Sequence, residues 1–181
     1  MEPGVDIEVA LGTPVDRAAS VLTGVPGTLF EPDAPPGTRE AGRFRLGLRV
    51  DVAERTTLWH EVVVEVRGAT CTARGGTLDL HLQPVGHRTL LPVFDGVLEV
   101  RGDGTESRLM LRGQYDLPLG VIGRVSAALG GRRWAERFLE HFLAEVANRL
   151  LTEVEWRELV ISQHPSVLSD WQWASSDYFL G

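Results

Sequence analysis

Residues 91–151 constrain the fold more than any other part of this chain. They hold two runs of alternating apolar and polar residues, a turn-like Gly-Gln-Tyr-Asp-Leu-Pro-Leu-Gly segment at 113–120, and a long amphipathic helical pattern. Alternation predicts strands with one buried face, and apolar residues spaced three or four apart predict a helix with one buried face. A sheet closed by one long helix is a way to wrap a hydrophobic cavity. The pattern therefore predicts a chain that encloses something small and apolar.

Alternation also predicts strands earlier in the chain, beginning at residues 5–11. Consecutive strands joined by short turns indicate an antiparallel meander with one apolar face. The side chains predicted to line the cavity are those in the inward phase of the strands after residue 42, namely Phe44, Leu46, Leu48, His60, Val62, Val64, Leu80, Phe94, Leu98, Leu109, Leu111 and Tyr115. Phe138 and Phe142 are predicted to face them from the helix.

Helical patterns occur at both ends of the strand region. Thr13, followed by Pro14, predicts the start of a short helix, because threonine caps helices and proline suits their first turn. The proline- and glycine-rich residues 24–42 predict an irregular segment with one helical turn near Thr28. After Pro118 a long apolar stripe begins, interrupted by two glycines at 130–131, which predicts either one kinked helix or two that meet there.

The composition excludes several functions. The chain of 181 residues has a net charge of −7 and no block of five or six basic residues, which argues against a nucleic-acid surface. It contains no lysine, so Schiff-base catalysis by a side-chain amine is excluded, because arginine does not deprotonate near neutral pH. A lone cysteine, Cys71, rules out an intrachain disulfide.

The first residues lack the basic region and the apolar core of a signal peptide. No apolar run reaches the roughly 18 residues that a membrane span needs. We therefore expect a cytoplasmic protein with no membrane span. The length favours one domain, which we place at 1–152, followed by an aromatic-rich tail at 153–181.

Two of the side chains predicted to face inward can form hydrogen bonds or exchange protons. His60 would either hydrogen-bond a ligand and exchange protons with it, or lie idle and hydrated near a strand end at the cavity rim. Tyr115 would either polarise a ligand carbonyl or pack at the turn before the helix, with its hydroxyl bonded to that turn. The structural interpretation is favoured for both, so the catalytic residues stay unassigned.

A metal site has weak support. His81 and His87 lie six positions apart, with Asp79 and Asp95 as neighbouring carboxylates, but no close ligand pair of the H-x-H or H-x-x-x-H kind occurs. The sequence also lacks a nucleophile elbow, a phosphate-binding loop and a dinucleotide fingerprint. We predict neither a metal nor a cofactor.

The tail at 153–181 is too aromatic for a purely solvated segment. Its aromatic residues are Trp156, Trp171, Trp173, Tyr178 and Phe179. The tail either packs on its own domain, with Trp171 and Trp173 covering an apolar surface, or binds a protein partner through aromatic anchors. Packing on the domain is the favoured interpretation.

The order of elements resembles the helix-grip superfamily, which includes START-type lipid-transfer domains, birch-pollen-allergen-like proteins and aromatic polyketide cyclases. The resemblance covers residues 5–151. Its sharpest local match is Leu-Pro-Val-Phe-Asp-Gly at 91–96 followed by the segment at 113–120, which looks like a little-characterised actinobacterial branch. Leu117 stands where that branch has the first of its prolines. The resemblance implies an α+β fold in which a curved antiparallel sheet wraps a long C-terminal helix, with a cavity between them.

Three functions follow from this interpretation. The favoured one is binding of a hydrophobic small molecule or lipid-like ligand in the internal cavity. The second is a cyclase or dehydratase acting on a polyketide-like substrate, in which the pocket shape fixes the substrate and His60 or Tyr115 assists proton transfer. The third is a protein-interaction module that uses the aromatic tail.

Overall fold

The elements of the chain follow the predicted order. The computed structural model describes residues 4–24, 26–31, 42–53, 56–85, 91–103, 105–116 and 131–163. Within them the elements are β1 (Gly4–Ala10), α1 (Val15–Gly24), α2 (Pro26–Phe30), β2 (Arg43–Ala53), β3 (Thr56–Thr72), β4 (Gly75–Pro84), β5 (Val93–Gly102), β6 (Ser107–Asp116) and α3 (Gly131–Gln163). The short helix α2 confirms the helical turn predicted near Thr28.

The six described strands form one antiparallel sheet in the order β1-β6-β5-β4-β3-β2. Directly opposed residues of antiparallel neighbours share a face, so the register shows which side chains lie together. One inward-facing row crosses five of the strands and consists of Phe44, Val64, Leu82, Phe94 and Tyr115. A register shift between Val66 and Gly68 interrupts the β3–β4 ladder, and such bulges bend a strand and increase its twist.

The helices cover the inner face of the sheet in two places. α1 lies mainly against β3, β4 and β5. It comes close to the sheet because a small residue, Ala19, faces it, and a Cβ added at Gly76 would lie 3.1 Å from the Cβ of Ala19. The backbone of α3 instead neighbours the sheet mainly at β2, β1 and β6. Side chains from both layers fill the interior between α3 and the middle strands.

The predicted stripe of α3 is buried in this interior. Its members have no exposed surface, and they are Ala135, Phe138, Leu139, Phe142, Val146 and Leu150. An i,i+4 ion pair lies on the same helix, with Arg149 Nε 2.7 Å from Glu145 Oε1. None of the helices in the described residues combines the length and the apolar run that crossing a membrane requires.

The C-terminal helix continues further than the sequence pattern predicted. α3 runs without a break through Thr152 to Gln163, and Val154 is still buried. The predicted boundary between residues 152 and 153 therefore falls inside the helix, and Trp156 is a helical residue. The turn and helix predicted at 117–130, and the tail after Gln163, lie outside the described residues.

Candidate ligand-binding site

The predicted cavity-lining side chains meet in one buried cluster. The members with at most 7% of their surface exposed are Phe44, Leu46, Leu48, Val62, Val64, Leu80, Phe94, Leu98, Leu109, Leu111, Tyr115, Phe138 and Phe142. His60 differs from them because it is only half-buried. The sheet and α3 thus present apolar surfaces to each other, and the side chains between them contact protein on nearly every side. That these residues contact a ligand stays a prediction.

Two glycines leave space for the Phe94 ring in this cluster. Gly96 and Gly113 are directly opposed on β5 and β6, on the inner face of the sheet. A Cβ added at Gly96 would lie 2.5 Å from the Phe94 ring, and one added at Gly113 would lie 2.8 Å from it. Both distances are too short for real carbon atoms. The ring therefore occupies the space that two side chains would otherwise fill.

Tyr115 brings a polar atom to the end of the apolar row. Its side chain is almost fully buried, since only 2% of its surface is exposed. No described residue makes a hydrogen bond of normal geometry with its hydroxyl. Burial raises the pKa of this phenol, and the negative charge of Glu136 adds to the rise while Arg132 opposes it. The hydroxyl therefore stays protonated at neutral pH and can donate a hydrogen bond.

His60 brings a second polar atom to the interior. It is opposed to Leu48 on the edge strand β2. Because β3 begins at Thr56, His60 lies within the strand, and the prediction that it lies near a strand end was wrong. Its Nε2 atom is buried and finds no partner among the described residues. Burial lowers the pKa of the imidazole, so the ring is neutral at neutral pH.

These two polar side chains are far apart. Tyr115 on β6 lies in the same cross-strand row as Val64 on β3, three strands away. His60 is also on β3, four residues before Val64. With strands about 4.8 Å apart and about 3.3 Å per residue, the separation is roughly 20 Å along the sheet. Their backbones are therefore well separated on the sheet.

An aromatic cluster that no sequence pattern indicated closes the interior beside α2. Phe30 stacks on Phe142 with ring centroids 6.4 Å apart, and its ring centroid lies 5.8 Å from that of Phe44. Arg149 holds the short helix in place, since its Nη1 donates to the carbonyl oxygens of Leu29 at 3.1 Å and Phe30 at 3.3 Å. Cations are favourable at such a helix C-terminus.

The candidate metal ligands lie on the opposite, outer face of the sheet. His81 Nδ1 is 2.9 Å from Asp95 Oδ1, and Arg67 Nη1 is 2.7 Å from the same oxygen. Asp79 lies against Gly68, while His87 is outside the described residues. Among the residues the structure describes, no group of three or more His, Cys, Asp or Glu side chains could hold a metal ion.

Comparisons with known proteins give likenesses of fold. A scan against protein-family models finds no match, and a search of curated proteins finds none. A protein from Thermus thermophilus is 16% identical, with a TM-score of 0.48, over 83% of this chain and 99% of its own. An aromatase/cyclase from Streptomyces sp. R1128 is 19% identical, with a TM-score of 0.47, over 87% and 96%. A norcoclaurine synthase from Thalictrum flavum is 13% identical, with a TM-score of 0.40, over 77% and 94%.

The assignment of the fold rests on the topology of the chain itself. An antiparallel sheet carries two short helices after its first strand, and a 33-residue helix follows its last strand. The apolar stripe of that helix faces the inner side of the sheet. This arrangement confirms the predicted α+β class, and the chain has the helix-grip fold.

Proposed function

We propose that this protein binds one hydrophobic small molecule or lipid-like ligand between the sheet and α3. Two buried polar groups in a largely apolar interior carry the proposal: His60 Nε2, which no described residue pairs, and the Tyr115 hydroxyl, whose polar neighbour Arg132 makes no hydrogen bond of normal geometry with it. A buried polar atom left without a partner costs about 1–3 kcal/mol. A ligand with a polar group beside either atom recovers this energy.

The protonation of these atoms limits the kind of ligand. The Tyr115 hydroxyl is a hydrogen-bond donor at neutral pH, because the pKa of the phenol is raised. Arg132 is also a donor, and its guanidinium acts on the phenol both through its charge and through a weak hydrogen bond. The ligand end beside Tyr115 is therefore an acceptor, such as a carbonyl or ether oxygen, and the rest of the ligand is apolar to match the surrounding side chains.

A ligand must part side chains to enter, because the interior residues are almost fully shielded from water. The short helix α2 is the element best suited to move. It has five residues, and Phe30 on it fills the space between Phe142 and Phe44. Displacing Phe30 would leave an opening bounded by β2 and α3. The ligand would then contact the rings that Phe30 contacts now.

Native mass spectrometry of freshly purified protein tests the proposal. We expect a species heavier than the 19.9 kDa chain by the mass of one small molecule, and we expect denaturing solvent to release that molecule. Stripped protein should recover the added mass from a lipid extract. A single mass equal to that of the bare chain, both before and after incubation with the extract, contradicts the proposal.

The second candidate function is a cyclase or dehydratase acting on a polyketide-like substrate. It is supported by a protonated phenol that could act as an acid and a neutral imidazole that could act as a base. Since the two are far apart, each would serve a different part of an extended substrate. Tyr115→Phe or His60→Ala should then lower turnover by roughly 10²–10⁴-fold. If both variants turn over the substrate as fast as the wild type, these residues have no part in the mechanism.

Three further expectations from the sequence stay predictions. They are the cytoplasmic location, the actinobacterial origin and the protein partner of the tail. The last of these is the alternative to packing of the tail on its own domain.

A further inference from the structure

A groove with a volume of about 530 Å³ lies between α1 and the last turns of α3. Its apolar lining comes from Val21, Val154 and Ile161. Arg17 and Glu158, which also line it, form an ion pair that joins the two helices. The groove thus has an apolar floor and charged or polar side chains at its rim. None of its lining residues is among those predicted to contact a ligand between the sheet and α3.

Large apolar side chains are exposed on this part of α3. Ile161 is 45% exposed and lies on the groove side, seven residues and nearly two full turns from Val154. Leu159 is 59% exposed and Trp156 is 55% exposed. Because each residue advances the helix by about 100°, these two lie on the side away from the groove. The exposed surface of Ile161 therefore lies in the groove, whereas that of Leu159 faces away from it.

We infer that residues 164–181 fold back along α3 and place Trp171 and Trp173 in the groove between α1 and α3. The segment follows directly after Gln163, one residue beyond Ser162, which lines the groove. Trp171 is eight residues from Gln163, so an extended chain reaches up to about 26 Å. The groove side of α3 spans only about 12 Å between residues 154 and 162. Every part of the groove is within reach.

The side chains of this segment suit the groove. Trp171 and Trp173 are two positions apart, so in an extended chain both rings point to the same side. An indole has an apolar body and one N–H donor, which matches an apolar floor with Asp16, Ser20 and Glu158 as acceptors beside it. Asp170 directly precedes Trp171, where it can face Arg17 or Arg157.

Tethering favours this occupant over a second copy of the chain. A segment joined by a short flexible linker has an effective concentration in the millimolar range. A second molecule reaches that concentration only in very concentrated protein. The tethered segment therefore fills the groove first, and the protein stays a monomer with a thermal midpoint that does not depend on its concentration.

Thermal unfolding of four full-length proteins tests the inference. They are the wild type, Ile161→Ser, the matched control Leu159→Ser, and the double variant Trp171→Ala with Trp173→Ala. We expect Ile161→Ser and the double variant each to lower the midpoint by about 2–4 °C, the scale for a modest loss in a chain of this size. Leu159→Ser should change it by less than about 1 °C, although leucine is the better helix former.

The decisive comparison adds Ile161→Ser to the double tryptophan variant. We expect no further loss, because the groove would then be empty in both proteins. An equal loss in both backgrounds overturns the inference, since Ile161 would then be stabilising α3 without the tryptophans. A loss from Leu159→Ser as large as that from Ile161→Ser also overturns it. A midpoint that rises with protein concentration overturns the inference too, because it would indicate that a second copy of the chain fills the groove. A double variant with the midpoint of the wild type also overturns it and would leave the tryptophans for a protein partner.

Discussion

The ring of Phe30 stacks on the ring of Phe142, with centroids 6.4 Å apart and the ring planes inclined by only 6°. Phe30 belongs to the five-residue helix α2, whereas Phe142 belongs to the buried stripe of α3. The contact closes the interior at the side of β2. Arg149 adds to this closure, because it holds the carbonyl end of α2.

Arg149→Met should open this side of the interior. The change keeps the apolar stem but removes the hydrogen bonds to Leu29 and Phe30, which as charged hydrogen bonds contribute about 1.5–3 kcal/mol. We expect 1-aminoanthracene, a neutral fluorescent probe, to associate several-fold faster in stopped-flow measurements. Arg157→Met is the control, because it breaks an i,i+4 pair with Glu153 on the same helix. Equal association rates in the two variants would remove α2 from the access route.

Tyr115→Phe should change stability and binding in opposite directions. The hydroxyl is buried and makes no hydrogen bond of normal geometry with its polar neighbour Arg132, so its removal should leave the free energy of unfolding unchanged or raise it by up to about 1–3 kcal/mol. The same change should lower the affinity for a ligand that carries a hydrogen-bond acceptor, such as an aromatic ketone, by up to about tenfold, because a hydrogen bond contributes about 0.5–1.5 kcal/mol. Chemical denaturation and a binding titration measure the two effects. Lower stability with unchanged binding would mean that the hydroxyl has a structural partner instead.

His60 should make stability depend on pH in the mildly acidic range. Burial lowers the pKa of the folded state below the ordinary value of 6.5, so the unfolded chain binds a proton first as the pH falls. The contribution of His60 to stability is therefore constant above about pH 6.5, declines below it, and levels off below the folded pKa. The difference in unfolding free energy between wild type and His60→Gln, measured from pH 5 to 8, isolates this contribution. A difference that does not vary with pH would contradict the burial of the imidazole.

Gly96→Ala should destabilise the protein through Phe94. The added methyl group would lie 2.2 Å from the Arg112 carbonyl oxygen and 2.5 Å from the Phe94 ring. Overfilling a close-packed site costs about 1–3 kcal/mol, so the midpoint of chemical denaturation should fall. Gly24→Ala at the end of α1 is the control, because nothing lies within 4 Å of its added carbon. Equal stability of the two variants would show that the Phe94 ring does not lie over the glycines in solution.

The pattern of the sequence predicted the elements whose structure depends on local periodicity. The inward phase of the strands was confirmed at Phe44, Phe94 and Leu111, which are all buried. The stripe through Phe138 and Phe142 was confirmed as well. Period-two and period-3.6 patterns are visible in a single segment, and each reports which face of that segment is buried.

The sequence could not show the contacts that join distant segments. Arg149 and Leu29 are 120 residues apart in the chain, and no local pattern marks either of them as a partner. Phe30 lies in a segment that the proline and glycine content predicted to be mostly irregular. The start of β3 at Thr56 was also missed, because Trp59 places a large aromatic side chain in the outward phase just before His60. The Trp59 ring covers Gly47 on the outer face, with the Arg49 guanidinium 5.9 Å from the ring centroid.

A fluorescence titration with 1-aminoanthracene, comparing the wild type with Leu111→Trp, tests most directly whether a ligand binds between the sheet and α3. Leu111 is fully buried on the inner face of the sheet, so the larger side chain takes up the space that a ligand would use. We predict one probe bound per wild-type chain and clearly weaker binding to the variant, provided that circular dichroism shows both proteins folded. Absence of saturable binding to the wild type, or equal binding to both proteins, would contradict a ligand site between the sheet and α3.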